Sequence, residues 1–206
     1  TLYNTIRWSY ELLDEQEQQL FRSLAVFQGY WNLDAAAAIV QMEDLEVEEV
    51  LLSLVNKSMV QQREMPNGDI FFTLLETLRE FALEQLEQTG HAAAIHEHHA
   101  NYYIQLAGSC TVSHPDEEFR RWTNIVSTSF DNMRATFRWL LNAGHTDKAA
   151  LLFVSLDGFW YGWNTTEGEL WLEQIFPFVE SFPPTIAYRI YQRSGFFRSE
   201  RGETSA

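Results

Sequence analysis

Cysteine occurs once in the 206 residues, at Cys110. A lone cysteine excludes an internal disulfide and a thiolate zinc cluster, and it fits a reducing compartment. Cations are scarce too: 14 Lys plus Arg stand against 29 Asp plus Glu, for a net charge of -15. Affinity for nucleic acid starts with Lys and Arg meeting phosphates, so this balance opposes a phosphate-backbone partner. No apolar run approaches the roughly 18 to 20 residues of a membrane span. No basic start leads into an apolar stretch, so no secretory leader is recognisable. These absences point to a cytoplasmic chain with no membrane partner. GxSxG and HExxH patterns are missing, and no two carboxylates stand out as an acid and base pair. The expectation is a chain without catalytic residues. It begins at Thr1 rather than Met, which reads as an excised fragment.

What is present is apolar and unevenly acidic. Hydrophobic residues make up 46% of the chain, enough to exclude disorder over most of it. Residues 1–88 hold 16 Asp plus Glu against 5 Lys plus Arg, which leaves 13 against 9 for residues 89–206. The front part is the acidic one.

Leu2, Ile6, Trp8, Leu12 and Leu13 follow a rough helical spacing. Asp14 is placed to cap the next helix, with Glu17 three residues on as its reciprocal partner. Leu20, Leu24 and Phe27 share one face of that helix, and Gly29 ends it. Asp34 opens a third helix through four alanines to Val40. A fourth spans about Glu46 to Asn56, with Val47, Val50, Leu51, Leu54 and Val55 inward. Met59–Glu64 and Asp69–Thr73 read as strands joined by Met65-Pro66-Asn67-Gly68, a hairpin signal. Leu74–Gln88 is helical again and closes at Gly90. Helices, hairpin and helix in this order predict a winged-helix domain over residues 1–88.

No strand signal follows Gly90. Helices are expected over His91–Ser113, Asp116–Ile125, Ser129–Asn142, Asp147–Trp160, Thr166–Glu180 and Thr185–Glu200. The later helix starts lie about 18 or 19 residues apart, so two helices per unit approach the ~34-residue period of tetratricopeptide repeats. The fold class is thus mainly α, a winged-helix domain with a small β-hairpin followed by a helical, tetratricopeptide-like array over residues 91–206. The last helix has no visible partner, and an unpaired terminal helix suggests an array that continues.

TIRWSYELLDEQEQQLFRSLAVFQGYWNLDAA, LLSLVNKSMVQQ and FFTLLETLREFALEQLEQTG, with FDNMRATFRWLLNAGHTDKAALLF and FWYGWNTTEGELWLEQIF behind them, resemble a run in bacterial STAND-type regulators. These are NB-ARC-like signalling ATPases of the LuxR/AfsR class of transcriptional regulators. The likeness covers about residues 1–180, with its motifs in the family's order. It implies a nucleotide-binding domain upstream, which would hold ATP or ADP with Mg. No GxxxxGK[ST] phosphate loop occurs in this chain, so no cofactor is expected here. Many members carry a His-Asp pair after the wing, where the histidine senses phosphate. The matching positions are Leu75 and Glu76, followed by Arg79. Leucine cannot donate to phosphate. The resemblance therefore leaves Glu76 and Arg79 as nucleotide-sensing candidates beside the absent domain, while their i, i+3 spacing equally allows an ion pair within the helix. A second departure is the Trp163-Asn164 turn, where glycine is expected.

Three further features invite a function. Asp44, Glu46, Glu48 and Glu49 crowd the start of the fourth helix, the recognition element of a winged helix. They repel phosphate but suit a helix N-terminus, and face water or a basic partner. His91, His96, His98 and His99 offer an i, i+3 pair for a metal, but lack a third ligand; the alternative is a helix face with His99 packed near Tyr102 and Tyr103. Trp122, Trp139, Phe159, Trp160, Tyr161, Trp163 and Trp171 crowd the second half. They fill gaps between stacked helices or line a partner groove, and Trp160, Tyr161 and Trp163 are the partner-binding candidates. No metal is assigned. The leading expectation is a non-catalytic regulatory fragment. Its winged helix packs on the nucleotide-binding domain of the same protein, and its helical arm senses a protein or small-molecule inducer. The alternative is a DNA-binding winged-helix transcription factor, which the acidic helix disfavours.

Overall fold

A computed structural model describes residues 2–40, 44–109, 117–160 and 164–200. The chain divides into two compact units, Thr1–Tyr102 with Thr128–Thr136, and Tyr103–Ser127 with Phe137–Ala206.

The first unit opens with α1 (Leu2–Glu11) and α2 (Glu15–Ser23). The expected capping box is formed: the Asp14 carboxylate accepts from the Glu17 N–H at 2.9 Å, and the Glu17 carboxylate accepts from the Asp14 N–H at 2.9 Å. Such a cap contributes about 1 kcal/mol. The helix stops earlier than Gly29. A 3-10 turn over Leu24–Val26 gives way to extended backbone at Phe27, which lets the Phe27 ring stack on Trp31 at 4.9 Å. Gly29 makes the turn at φ +71, which favours glycine, and a β-carbon there would lie 3.0 Å from the Asp131 carboxylate.

Asn32, not Asp34, caps α3 (Leu33–Ile39), its amide oxygen accepting from the Ala35 N–H at 3.0 Å. An alanine-rich helix lets α3 sit close to α4 (Asp44–Asn56) and the hairpin. β1 (Gln61–Glu64) and β2 (Ile70–Thr73) pair antiparallel with Glu64 opposite Ile70. The loop closes through Gly68 N–H to Met65 O at 2.9 Å, with Gly68 at φ +86. Trp31 adds a third backbone partner, exchanging two hydrogen bonds with Phe72 at 3.0 and 2.7 Å. Then come α5 (Glu76–Gln88) and the first part of α6 (Ala92–Gly108); α7 (Glu117–Thr128) falls in the second unit, and α8 (Phe130–Asn142) begins in the first. Leu20, Phe21, Leu24, Ile39 and Leu54 are wholly buried in this unit. Each such side chain contributes about 1.5–3 kcal/mol. This is the helix, hairpin and helix order of a winged helix, within a mainly α-helical chain.

The second unit is helical among the described residues. Its elements include α9 (Thr146–Ser155), α10 (Asp157–Trp160), α11 (Thr165–Ile175) and α12 (Pro184–Glu200). Two expected helices are interrupted. Asp147–Trp160 divides at Leu156, where ψ is 15°. The next residue, Asp157, accepts from the buried Arg193 guanidinium, Nε to Oδ1 at 2.8 Å. Thr166–Glu180 ends as an α-helix at Ile175, and a 3-10 turn over Phe176–Ser181 follows. Pro177 has no N–H with which to continue the α-helical ladder. α9, α11 and α12 pack on one another around Phe153, Trp160 and Trp171.

Candidate functional site

The element most able to meet a macromolecule in the first unit is α4 with the hairpin behind it. Val47, Val50, Leu51 and Leu54 fix its orientation by facing the core. That leaves Glu48, Glu49 and Leu52 exposed, with Leu52 43% accessible. Glu46 is half-buried and accepts from the Gln16 side chain. The helix ends in a Schellman arrangement: Ser58 N–H reaches Val55 O at 2.9 Å and Met59 N–H reaches Leu54 O at 2.9 Å. Ser58 occupies the left-handed position at φ 58, where glycine is usual. Met59 and Val60 are buried beyond it, which sets the start of the hairpin.

Residues 44–73 contain two cations, Lys57 and Arg63, against six acids. Both cations are engaged. The Lys57 ammonium pairs with Glu17, whose side chain is only 4% exposed. Ser53 donates to the same carboxylate at 2.6 Å. Burial pushes the Glu17 carboxyl up, but hydrogen bonds from Lys57, Ser53 and the Asp14 backbone together hold it below the ordinary carboxylate value. Arg63 donates to the Tyr30 hydroxyl at 2.6 Å and lies 5.5 Å from that ring's centre. All four β1 side chains are exposed, and Arg63 is their single cation. The surface therefore presents carboxylates with Leu52 and Ile70 to a partner, while Lys57 is paired with Glu17 and the exposed Arg63 rests on the neutral Tyr30. Sequence spacing found the acids and the cap. It could not show that Glu17, while keeping the cap through one oxygen, holds Lys57, 40 residues away, with the other.

The remaining candidates fall as follows. Glu76 and Arg79 form a two-pronged ion pair, Nη2 to Oε1 at 2.6 Å and Nε to Oε2 at 3.1 Å. Arg79 hydrogen bonding holds the Glu76 carboxyl below its ordinary value, and Glu76 raises the guanidinium in turn. A third Arg79 N–H reaches Ala25 O at 3.5 Å. Leu75 remains 49% exposed beside them.

His99 is buried and sits among Asn132 Oδ1 at 3.3 Å, Thr136 Oγ1 at 3.2 Å and the Phe27 ring at 5.1 Å. Burial drives its imidazole down to about 3. His96 is lowered by burial as well. No group of three or more His, Cys, Asp or Glu placed to hold a metal occurs among the described residues. Trp160 is wholly buried, its indole N–H donating to Phe153 O at 2.9 Å and its ring 5.4 Å from Trp171. That is a core position. Tyr161, Trp163 and Cys110 lie outside the described residues.

The match to a family model agrees with this geometry. Residues 13–87 match the model of a winged helix-turn-helix domain. The match begins just before α2 and ends within α5, so it takes in α3, α4 and the hairpin. Over 179 residues the chain is 38% identical to "Putative HTH-type transcriptional regulator Rv0890c" of Mycobacterium tuberculosis, covering 85% of this chain and 20% of that protein. "Uncharacterized protein Rv0894" of the same organism is 38% identical over 99 residues, 46% of this chain and 25% of its own length. "Disease resistance protein RML1A" of Arabidopsis thaliana is 42% identical over 55 residues, 27% of this chain and 6% of its own. The chain thus spans a fifth to a quarter of the two mycobacterial relatives. No solved structure matches it. No helix among the described residues is long and apolar enough to cross a membrane.

Proposed function

We propose that this chain is a non-catalytic regulatory segment of a STAND-type transcriptional regulator, whose winged helix works through protein contacts. The observation that carries this reading is the charge arrangement on α4 and the hairpin. Glu48 and Glu49 face solvent while Lys57 is held by Glu17 and Arg63 rests on Tyr30. A duplex partner would meet carboxylates where docking needs cations. A basic protein surface would meet complementary charge around Leu52. The partner we assign is the nucleotide-binding domain of the same protein, with the helical second unit as the inducer-sensing arm. Nucleotide exchange on that domain would shift the population between docked and released arrangements. ATP or ADP with Mg belongs to the partner domain, beside which Glu76 and Arg79 are the candidate contacts.

The test is the affinity of this chain for that domain loaded with ADP and then with ATP. Tighter binding to one form, weakened by Glu48→Lys with Glu49→Lys, is the expected result. Equal affinity for both forms removes the mechanism. A second reading, direct DNA contact, is favoured by the matched domain type and by the names of the mycobacterial relatives. It requires α4 to dock against its own charge.

A further inference from the structure

A cavity of about 350 Å³ opens in the first unit, away from the Glu76–Arg79 pair. It lies where α2, the end of α3, the end of α5 and the start of α6 meet. Its volume is in the range of small-molecule sites. Ile39, Val40, Leu86 and Ile95 form an apolar wall. Arg22, His91 and His98 supply the polar lining, helped by Gln19.

The signs of these groups are the informative feature. The chain carries a net charge of -15, yet none of the described residues lining this cavity is Asp or Glu. Arg22 spends one N–H on the Tyr10 hydroxyl at 2.8 Å and makes no ion pair among the described residues. A guanidinium has five N–H donors in a planar fork, so most remain available. The Nδ1 of His98 lies 3.3 Å from Ile39 O. A carbonyl only accepts, so Nδ1 carries the hydrogen and Nε2 is left for another partner. Four elements thus bring a cation and two imidazoles against an apolar wall.

We infer that this cavity is a binding site for a small amphipathic carboxylate, with its head on Arg22 and its apolar body against Ile39, Val40, Leu86 and Ile95. Carboxylate geometry matches the guanidinium fork, and the imidazolium form of either histidine would add a donor. The site is independent of the acidic face of α4. It adds small-molecule sensing to the winged-helix unit itself. Occupancy would tie α6 to α2, α3 and α5 and stabilise that unit in proportion to ligand concentration.

The test is calorimetric titration of the full 206-residue chain with octanoate, and in parallel with its neutral counterpart octanamide. Expected are saturable one-to-one octanoate binding and octanamide weaker by about tenfold, since losing a charge-assisted hydrogen bond is worth about that factor. Arg22→Gln should weaken octanoate by a similar factor. Ala94→Trp, which fills the cavity from α6, should abolish binding of both probes while far-UV circular dichroism stays unchanged. Absence of saturable octanoate binding overturns the inference. So does binding that survives both substitutions, because the probe would then sit elsewhere.

Discussion

Replacing Glu17 with glutamine tests the contact that pairs Lys57 at the end of α4. The carboxylate accepts from the Asp14 N–H at 2.9 Å, the Ser53 hydroxyl at 2.6 Å and the Lys57 ammonium. An amide keeps one acceptor oxygen and turns an NH₂ toward groups that are themselves donors. The loss is about 1 kcal/mol for a neutral hydrogen bond plus about 1.5–3 kcal/mol for the charge-assisted one. Lys57 is 44% exposed and recovers part of its hydration, so the expected net loss is roughly 2–3 kcal/mol. Urea unfolding followed by circular dichroism measures it.

The pH dependence carries a definite sign. The folded carboxyl sits below its ordinary 4.5, so its stabilisation is present above that pH and is lost as pH falls through the lower, folded value. The gap between wild type and Glu17→Gln should be widest at pH 7 and narrow at pH 4 and below. Lys57→Met should lose less alone, and the double variant should show a coupling of about 1 kcal/mol. A gap under about 0.5 kcal/mol at pH 7, the scale of an ordinary surface substitution, would refute the reasoning. A gap that stays constant down to pH 3 would do so as well.

Three further outcomes are expected. Ser58→Gly relieves a left-handed non-glycine residue at the end of α4 and should raise stability by about 1 kcal/mol in the same urea assay. The neutral, buried His99, lowered from 6.5 to about 3, must take up a proton on unfolding at mildly acid pH. Its contribution is therefore complete above pH 6.5 and is lost progressively toward pH 3, about 2 kcal/mol of it by pH 5. His99→Gln should flatten that acid loss, and an unchanged slope would count against a neutral buried imidazole. Gly168→Ala places a β-carbon 3.0 Å from both the Phe197 and Trp160 rings. Overpacking should outweigh the gain in helix propensity for a net loss of about 1 kcal/mol, read from a thermal melt.

Local chemistry made much of the first unit legible before any coordinates. The Asp14–Glu17 box, the hairpin at Asn67-Gly68 and the inward stripe of α4 depend on residues within a few positions of each other. What stayed hidden was long-range. Trp31 carries no strand pattern around it, yet it pairs with Phe72. Asn132 is buried because it meets the Gln28 N–H and Tyr30 O, both at 2.8 Å, more than 100 residues earlier. The break at Leu156 follows from packing and from Arg193, not from glycine or proline at that point. The histidine cluster separates in the structure for the same kind of reason. His99 turns inward to Asn132 and Thr136, while His91 and His98 line the cavity, whose other walls come from α2, α3 and α5.

Duplex binding tests the acidic surface of α4. Fluorescence anisotropy of a labelled 30-base-pair duplex is followed while the chain is titrated at 20 mM salt and again at 200 mM. Expected are no saturation at about 10 μM protein in either salt, and a gain in low-salt binding when Glu48 and Glu49 become lysine. Low-micromolar or tighter binding of the unaltered chain, falling steeply with salt and lost with Arg63→Ala, would contradict this expectation and make the winged helix a phosphate-contacting element.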